Sequence, residues 1–267
     1  MSATLRRPGL RRPAALTWYY GLLVAFLYLP IGVLLLFSFN SGATLTFPLK
    51  AFTTGWYRAA LDTPAAIDAV RNSFMVAIGS SLVATALATM VAILLARYQF
   101  RGKAVLMGIA VLPLIVPYLV LGVALLLLFA ALGIDRSLTT IGIAHTVIAL
   151  PYAVLIVLAR LAGVSGDLEE AAMDLGATYP TTLRLIVLPV AAPAIISAWL
   201  VAFTASFDEF ALALFLAGTE PTLPVYIFGQ LRFASRLPMM IALAVLVTGG
   251  SLVVALVANR IRRWGET

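Results

Sequence analysis

Two groups of carboxylates stand out in a chain that otherwise carries little charge. Asp167, Glu169, Glu170 and Asp174 put four acids within eight positions, interleaved with Leu168, Ala171, Ala172, Met173 and Leu175. Further on, Asp208 and Glu209 sit side by side inside a long apolar stretch, with Phe203, Phe207 and Phe210 around them. A charge at the centre of a membrane helix costs about 2.5–3.5 kcal/mol on insertion scales, so such acids belong beside water or a partner. Carboxylates next to aromatic faces suit an organic cation, through charge and cation–π attraction. Adjacent helical residues point about 100° apart, so the two acids need not face the same way. Ser206 and Glu209 share one face (i, i+3), and Thr204 and Asp208 share another (i, i+4).

Other chemistries lack their residues. The chain has no cysteine, which removes disulfides, thiolate metal sites and cysteine nucleophiles. Its one histidine, His145, leaves no His-rich metal cage; as a residue of the fourth apolar stretch it suits a helix–helix hydrogen bond, with a proton relay as the alternative. Neither HExxH nor GxSxG occurs, nor does the GxxxxGK[ST] phosphate loop. Gly102-Lys103 is followed by Ala104 and lacks the upstream glycine spacing. The chain therefore reads as a protein that is not an enzyme.

The elements that must position these acids are set by lipid. Of 267 residues, 63% are hydrophobic and 11% charged, with a mean hydropathy of +1.06, where a soluble domain has roughly 25% charged residues. Six stretches reach the roughly 20 apolar residues a spanning helix needs: 17–39, 72–96, 104–132, 137–162, 186–217 and 237–259. Their apolar runs are continuous rather than alternating, which selects helices over a barrel. The expected organisation is a segment 1–16, one transmembrane domain over 17–262 and a tail 263–267. The first run is too long for a signal-peptide core and has no small-residue cleavage site, so it reads as a retained helix.

Pro113 and Pro117 are expected to kink the third span and Pro151 the fourth, while Pro189 and Pro193 lie near the start of the fifth. Gly133-Ile134-Asp135-Arg136 reads as a tight turn. The net charge of +7 is dispersed between apolar runs, which points to membrane orientation and not to nucleic acid. With the N-terminus inside, twelve of the eighteen Lys and Arg residues fall on that side, among them Arg6, Arg7, Arg11 and Arg12. Both termini are then cytoplasmic. On the same side lies the acidic loop, 163–185. Ala, Glu, Met and Leu favour a helix there. Gly176 ends it, and Thr178 caps a second helix with Pro180 in its first turn. Counted from Ile186, the acidic pair falls roughly 30 Å across the membrane, on the external side.

Glu170-Ala171-Ala172, Gly176, Ile186 and Leu188-Pro189 match, position by position, the EAA motif of ABC importer permeases, and the chain resembles that family. Further likeness to its spermidine/putrescine branch, second permease subunit type, runs through Leu29-Pro30, Leu36-Phe37-Ser38-Phe39-Asn40, Asn72-Ser73, Phe100-Arg101-Gly102-Lys103, Ser206-Phe207-Asp208-Glu209 and Thr222-Leu223-Pro224-Val225-Tyr226-Ile227. The resemblance implies an all-α, type I importer permease fold in the bacterial inner membrane, with cytoplasmic coupling helices. Glu169, Glu170, Ala171, Ala172, Asp174 and Gly176 would then dock into a cytoplasmic ATPase dimer.

The resemblance further implies ATP and Mg on that partner, no cofactor on this chain, a second non-identical permease and an extracytoplasmic binding protein. Asp208, Glu209, Ser206, Phe207, Trp56 and Tyr118 would line the substrate path. Trp56 and Tyr57 also fit interfacial anchoring. Tyr118 takes the place where polyamine permeases often carry an acid. An opine, another amino-acid-like cation or a metal ion therefore stays open beside putrescine and spermidine. An ion-coupled secondary transporter is the reading from another class. It commonly shows internal repeats or helices broken at mid-membrane; no repeat is visible here, and the acidic pair is off centre.

Overall fold

The computed structural model describes residues 14–42 and 44–264, and the side chains of 16–42 and 44–251. Arg6, Arg7, Arg11, Arg12 and the tail positions 265–267 lie outside the described residues. The chain is helical throughout, with one isolated antiparallel bridge between Asn40 and Phe52 among the described residues. In order the helices are α1 Ala14–Ser38, α2 Gly55–Leu61, α3 Pro64–Arg97, α4 Lys103–Val111, α5 Tyr118–Ala131 and α6 Leu138–Ala162. There follow α7 Asp167–Asp174, α8 Tyr179–Thr182, α9 Leu188–Phe207, α10 Ala211–Leu216, α11 Leu223–Leu231 and α12 Leu237–Trp264.

Among the described residues, five helical stretches are long and apolar enough to cross a membrane, and six if the bent pair α4–α5 is one span. That pair departs from the expected single span 104–132. The chain bends by 104° between its limbs, across a 3-10 turn, Leu112–Leu114, and the residues before Tyr118. Pro113 and Pro117, four positions apart, each lack the N–H of a helical hydrogen bond, and Pro117 sits in extended geometry (φ −57°, ψ 131°). A kink becomes a break.

The fifth span, expected over 186–217, also differs at both ends. It starts at Tyr179 and ends at Phe207. Its first part widens into a π-helical turn, Leu183–Val187, immediately before Pro189. Proline lacks the N–H that would bond the Leu185 carbonyl and its ring crowds that carbonyl, so the helix widens by one residue there. The second span begins at Pro64, eight residues earlier than expected, with proline at its first helical position.

The contacts divide the chain into two units, 64–229 and the described parts of 1–63 with 230–267. In the first, α3, α6 and α9 pack together along buried alanines: Ala84, Ala88 and Ala92 on α3, Ala149 and Ala153 on α6, Ala198 and Ala202 on α9. Lipid is as apolar as leucine, so such helices associate through close van der Waals packing, which small residues permit. A second cluster joins α5, α6 and α10 through Phe129, Ile141, Ile148, Leu212 and Leu216. Gly122 is needed in it, because a Cβ there would meet the Phe215 ring at 2.8 Å. At the turn before α6, Ser137 and Thr140 form a reciprocal capping box.

In the other unit α12 packs on α1 and α2. The chain after α1 is organised by Asn40, whose side-chain oxygen accepts from Gly42 N and Lys50 N. Phe39 stacks on Phe52 at 5.0 Å. Most of α1 is exposed, including Trp18, Tyr19 and Phe26, as expected of a helix whose solvent is lipid.

Candidate functional site

The loop 163–185 forms two short helices joined at Gly176. Asp167, Glu169 and Glu170 occupy the first turn of α7, where the helix dipole favours negative charge. Gly176 has φ +90°, the left-handed region that residues with a Cβ avoid. Its N–H bonds the Met173 carbonyl at 2.9 Å, and Ala177 N–H bonds the Ala172 carbonyl at 3.0 Å. These two bonds close the last turn of α7 as a Schellman motif. Thr178 then takes extended geometry before α8, with Pro180 in its first turn. Its hydroxyl meets Thr181 Oγ1 at 2.9 Å instead of capping a backbone N–H.

The six loop residues singled out by sequence do not point the same way. Glu170, Ala171, Asp174 and Gly176 are exposed and Ala172 is half-buried. Leu175, at the tip, is 90% exposed, and Leu168 and Met173 are exposed beside it. An acidic helix with leucines outward and alanine between them presents a surface that a partner's cleft can cover. Glu169 turns inward. Its carboxylate meets Arg97 Nε at 2.7 Å, and Arg97 Nη1 donates to the carbonyls of Leu161 and Val164 at 3.0 and 3.2 Å. Sequence reasoning did not single out Arg97. A basic residue in the last turn of a span, on the side that carries an acidic loop, was the available signal.

At the other end of α9, the acidic pair lies at a helix end and not inside a span. Asp208 follows the last residue of α9, and the break separates α9 from α10. The two carboxylates have opposite surroundings. Glu209 is buried, and its oxygens accept from Leu212 N at 2.9 Å and from Ala213 N at 3.1 Å, closing the open N–H groups of α10. His145 Nε2 stands 3.2 Å from its Oε2, a close electrostatic contact that is not aligned as a hydrogen bond. His145 Nδ1 meets Ser206 Oγ at 2.8 Å, and Ser80 Oγ donates to Ser206 Oγ at 2.9 Å. Ser206 is thus buried in a polar chain that ties α3, α6 and α9 together, as sequence reasoning suggested for His145 but not for Ser80.

Asp208 is exposed, and among the described residues its carboxylate has no hydrogen bond or ion pair. Beside it, Phe207 packs on Phe74 at 4.9 Å and stacks on Phe203 at 5.7 Å, and Phe203 continues to Trp199 at 6.2 Å. Phe207 itself is buried in this row. A free carboxylate that follows such a row in the chain, and the ring faces themselves, are groups that attract a cation. Tyr118 opens α5 after the break, packs against the cluster that contains Leu212 and Ala213, and shares a 3.1 Å hydrogen bond with Tyr152. Trp56 belongs to the other unit. It is half-buried there, and its indole N–H donates to the Asn40 carbonyl at 2.9 Å, while Tyr57 OH meets Ser38 Oγ at 2.6 Å. Among the described residues there is no cluster of metal-binding side chains.

Residues 84–264 match the family described as binding-protein-dependent transport system inner membrane component. The chain is 34% identical to the spermidine/putrescine transport system permease protein PotC of Escherichia coli strain K12, over 90% of each chain. It is 37% identical to the putrescine transport system permease protein PotI of the same strain, over 87% of this chain and 85% of that one. Its fold is shared with a bacterial alginate ABC transporter solved in complex with alginate pentasaccharide-bound periplasmic protein, with a TM-score of 0.75 at 17% identity, covering 94% of this chain and 93% of that one. With a matching family over two thirds of its length, relatives of this identity and this fold, the chain belongs to the binding-protein-dependent transport system inner membrane components, the permease subunits of ABC importers.

Proposed function

We propose that this permease subunit forms half of the path by which a small organic cation, a polyamine such as putrescine or spermidine, enters the cell. The carrying observation is the exposed Asp208, the residue that follows Phe207 of the Phe74–Phe207–Phe203 row, in a chain whose relatives PotC and PotI are named for these solutes. An ammonium group gains from both the charge and the ring faces. Phe207, Trp56 and Tyr118 are the other residues we assign to the path; Ser206 and Glu209 support it from within the helix packing.

Energy comes from a separate ATPase dimer that holds ATP and Mg. The exposed face of α7 with Glu170, Ala171, Ala172, Asp174 and Gly176 is its docking surface. A second, non-identical permease completes the path, and a loaded binding protein docks outside, as a periplasmic protein does on the alginate transporter. ATP binding closes the dimer, pulls the 163–185 loop and opens the path outward; hydrolysis resets it. Both termini lie in the cytoplasm, on the side that receives most of the Lys and Arg residues.

The test is uptake of labelled putrescine and spermidine by cells lacking their own polyamine importers and expressing the complete transporter. Saturable, ATP-dependent uptake that falls in Asp208→Asn is expected. No uptake, with the ATPase still co-purifying, would remove the polyamine assignment and favour an opine or another small cation. Tyr118, bonded to Tyr152 where polyamine permeases often hold an acid, is the observation that favours this second solute class.

A further inference from the structure

Arg97 and Tyr98, at the C-terminal end of α3, contact the loop 163–185 at three places. Arg97 holds Glu169 of α7 at 2.7 Å through Nε. Through Nη1 it also closes the carbonyls of Leu161 and Val164, which end α6 and lead into the loop. The neighbouring Tyr98 ring packs edge-on against Tyr179, the first residue of α8, with centroids 6.2 Å apart. From Tyr179 the chain continues into α9 without a break. One guanidinium and one ring therefore join the start of the loop, its first helix and its return into the membrane. The Arg97–Glu169 pair is mostly shielded, with side chains 14% and 12% exposed. A planar fork with several donors can hold a carboxylate and two carbonyls together; a single ammonium cannot reach all three.

We propose that Arg97 is a positioning residue for energy coupling. Its fork makes α7 and the ends of α3 and α6 one mechanical piece, so that a displacement of α7 is delivered to the packed helices and not absorbed by the loop. This rests on the reading of α7 as the ATPase-docking helix. Glu169 in this role faces the membrane helices while Glu170, its neighbour, faces the partner. Without the fork, the ATPase still docks on the exposed face of α7, but the helix moves on its own.

The chain has no cysteine, so a single Thr204→Cys at an exposed position of α9 reports on the path with a membrane-impermeant maleimide. The measurement is the ratio of labelling rates with and without a non-hydrolysable ATP analogue plus Mg, in the complex with its ATPase in proteoliposomes. In the Thr204→Cys background, adding Arg97→Gln or Glu169→Gln leaves the ATPase bound and cuts the nucleotide response at least about fivefold, the lower range of allosteric coupling. Arg97→Lys gives an intermediate response, and Asp167→Asn, an equal charge loss on the exposed side of α7, keeps the full one. A full response in Arg97→Gln and Glu169→Gln, with Gly176→Pro losing it, overturns the proposal and leaves the docking assignment standing. If Arg97→Gln does not assemble, a full response in Arg97→Lys overturns it equally. No nucleotide response in the otherwise unaltered Thr204→Cys complex overturns the docking assignment, and the proposal with it.

Discussion

His145 Nε2 lies 3.2 Å from Glu209 Oε2, and both side chains are almost completely buried, at 1% and 3% exposure. Together with two backbone N–H groups of α10, this contact uses the capacity of Glu209 inside the protein. Asp208, one residue earlier, keeps its carboxylate on the surface. The adjacent acids are thus separated into a structural and an accessible one by the end of a helix.

Opposite outcomes are expected for the two. Glu209→Ala leaves the Leu212 and Ala213 N–H groups without their acceptor and removes the carboxylate beside His145, a loss of about 1–3 kcal/mol for unsatisfied buried groups. Thermal unfolding of the detergent-purified complex, followed by gel filtration, is expected at a lower temperature. Asp208→Asn breaks no internal bond and leaves that temperature unchanged. It weakens the apparent affinity for putrescine in uptake about tenfold, equivalent to about 1.4 kcal/mol. A stability loss in Asp208→Asn equal to that of Glu209→Ala would contradict the division.

Gly176 carries a second prediction. At φ +90° an alanine is strained by about 1–2 kcal/mol, and proline additionally removes the N–H that bonds Met173. Gly176→Pro therefore opens the end of α7, and Glu170→Arg reverses a charge on its exposed face. Each is expected to leave the membrane helices folded and to uncouple ATP hydrolysis from transport. The check is hydrolysis by the reconstituted complex with and without loaded binding protein; normal stimulation in both variants would count against the loop as the docking site.

The loop was legible because its signals are local. Helix-favouring residues, a glycine at the turn and a proline in the next first turn lie within fifteen positions of each other. Spans were legible from apolar length. What escaped was the interruption of such lengths: an apolar window over 186–217 averages across Asp208-Glu209-Phe210, and cannot see that buried N–H groups of α10 are better closed by Glu209 than by continued helix. Nor does spacing reveal partners 72 and 126 positions apart, as for Arg97 with Glu169 and Ser80 with Ser206. Only the packing of α3 against α6 and α9 brings those together.

Trp56 separates two uses of one side chain. Its indole N–H is committed to the Asn40 carbonyl at 2.9 Å, which also orients the segment after α1. Trp56→Phe keeps an aromatic face and loses that donor, a net loss of about 0.5–1.5 kcal/mol. If the ring lines the path, uptake affinity is retained in Trp56→Phe and lost in Trp56→Ala. Equal uptake in the two, at equal amounts of assembled complex, would assign Trp56 to packing alone.

Tyr118 is where solute length is expected to be read. Its hydroxyl is held by Tyr152 at 3.1 Å at the first residue of α5, directly after the break that bends the third span. Related polyamine permeases often hold an acid at this place. Spermidine carries one more cationic nitrogen than putrescine, so an added carboxylate favours it specifically. At an effective dielectric of about 20 near a protein surface, one charge pair at 4 Å is worth about 4 kcal/mol before desolvation, most of which desolvation offsets. A net gain of about 1 kcal/mol corresponds to roughly fivefold. Tyr118→Asp is therefore expected to raise spermidine over putrescine in competition uptake by that factor. Tyr118→Phe, which removes only the bond to Tyr152, is expected to leave the ratio unchanged. A shift of the same size in Tyr118→Phe would mean that the tyrosine pair sets the shape of the path and charge at this position does not select the solute.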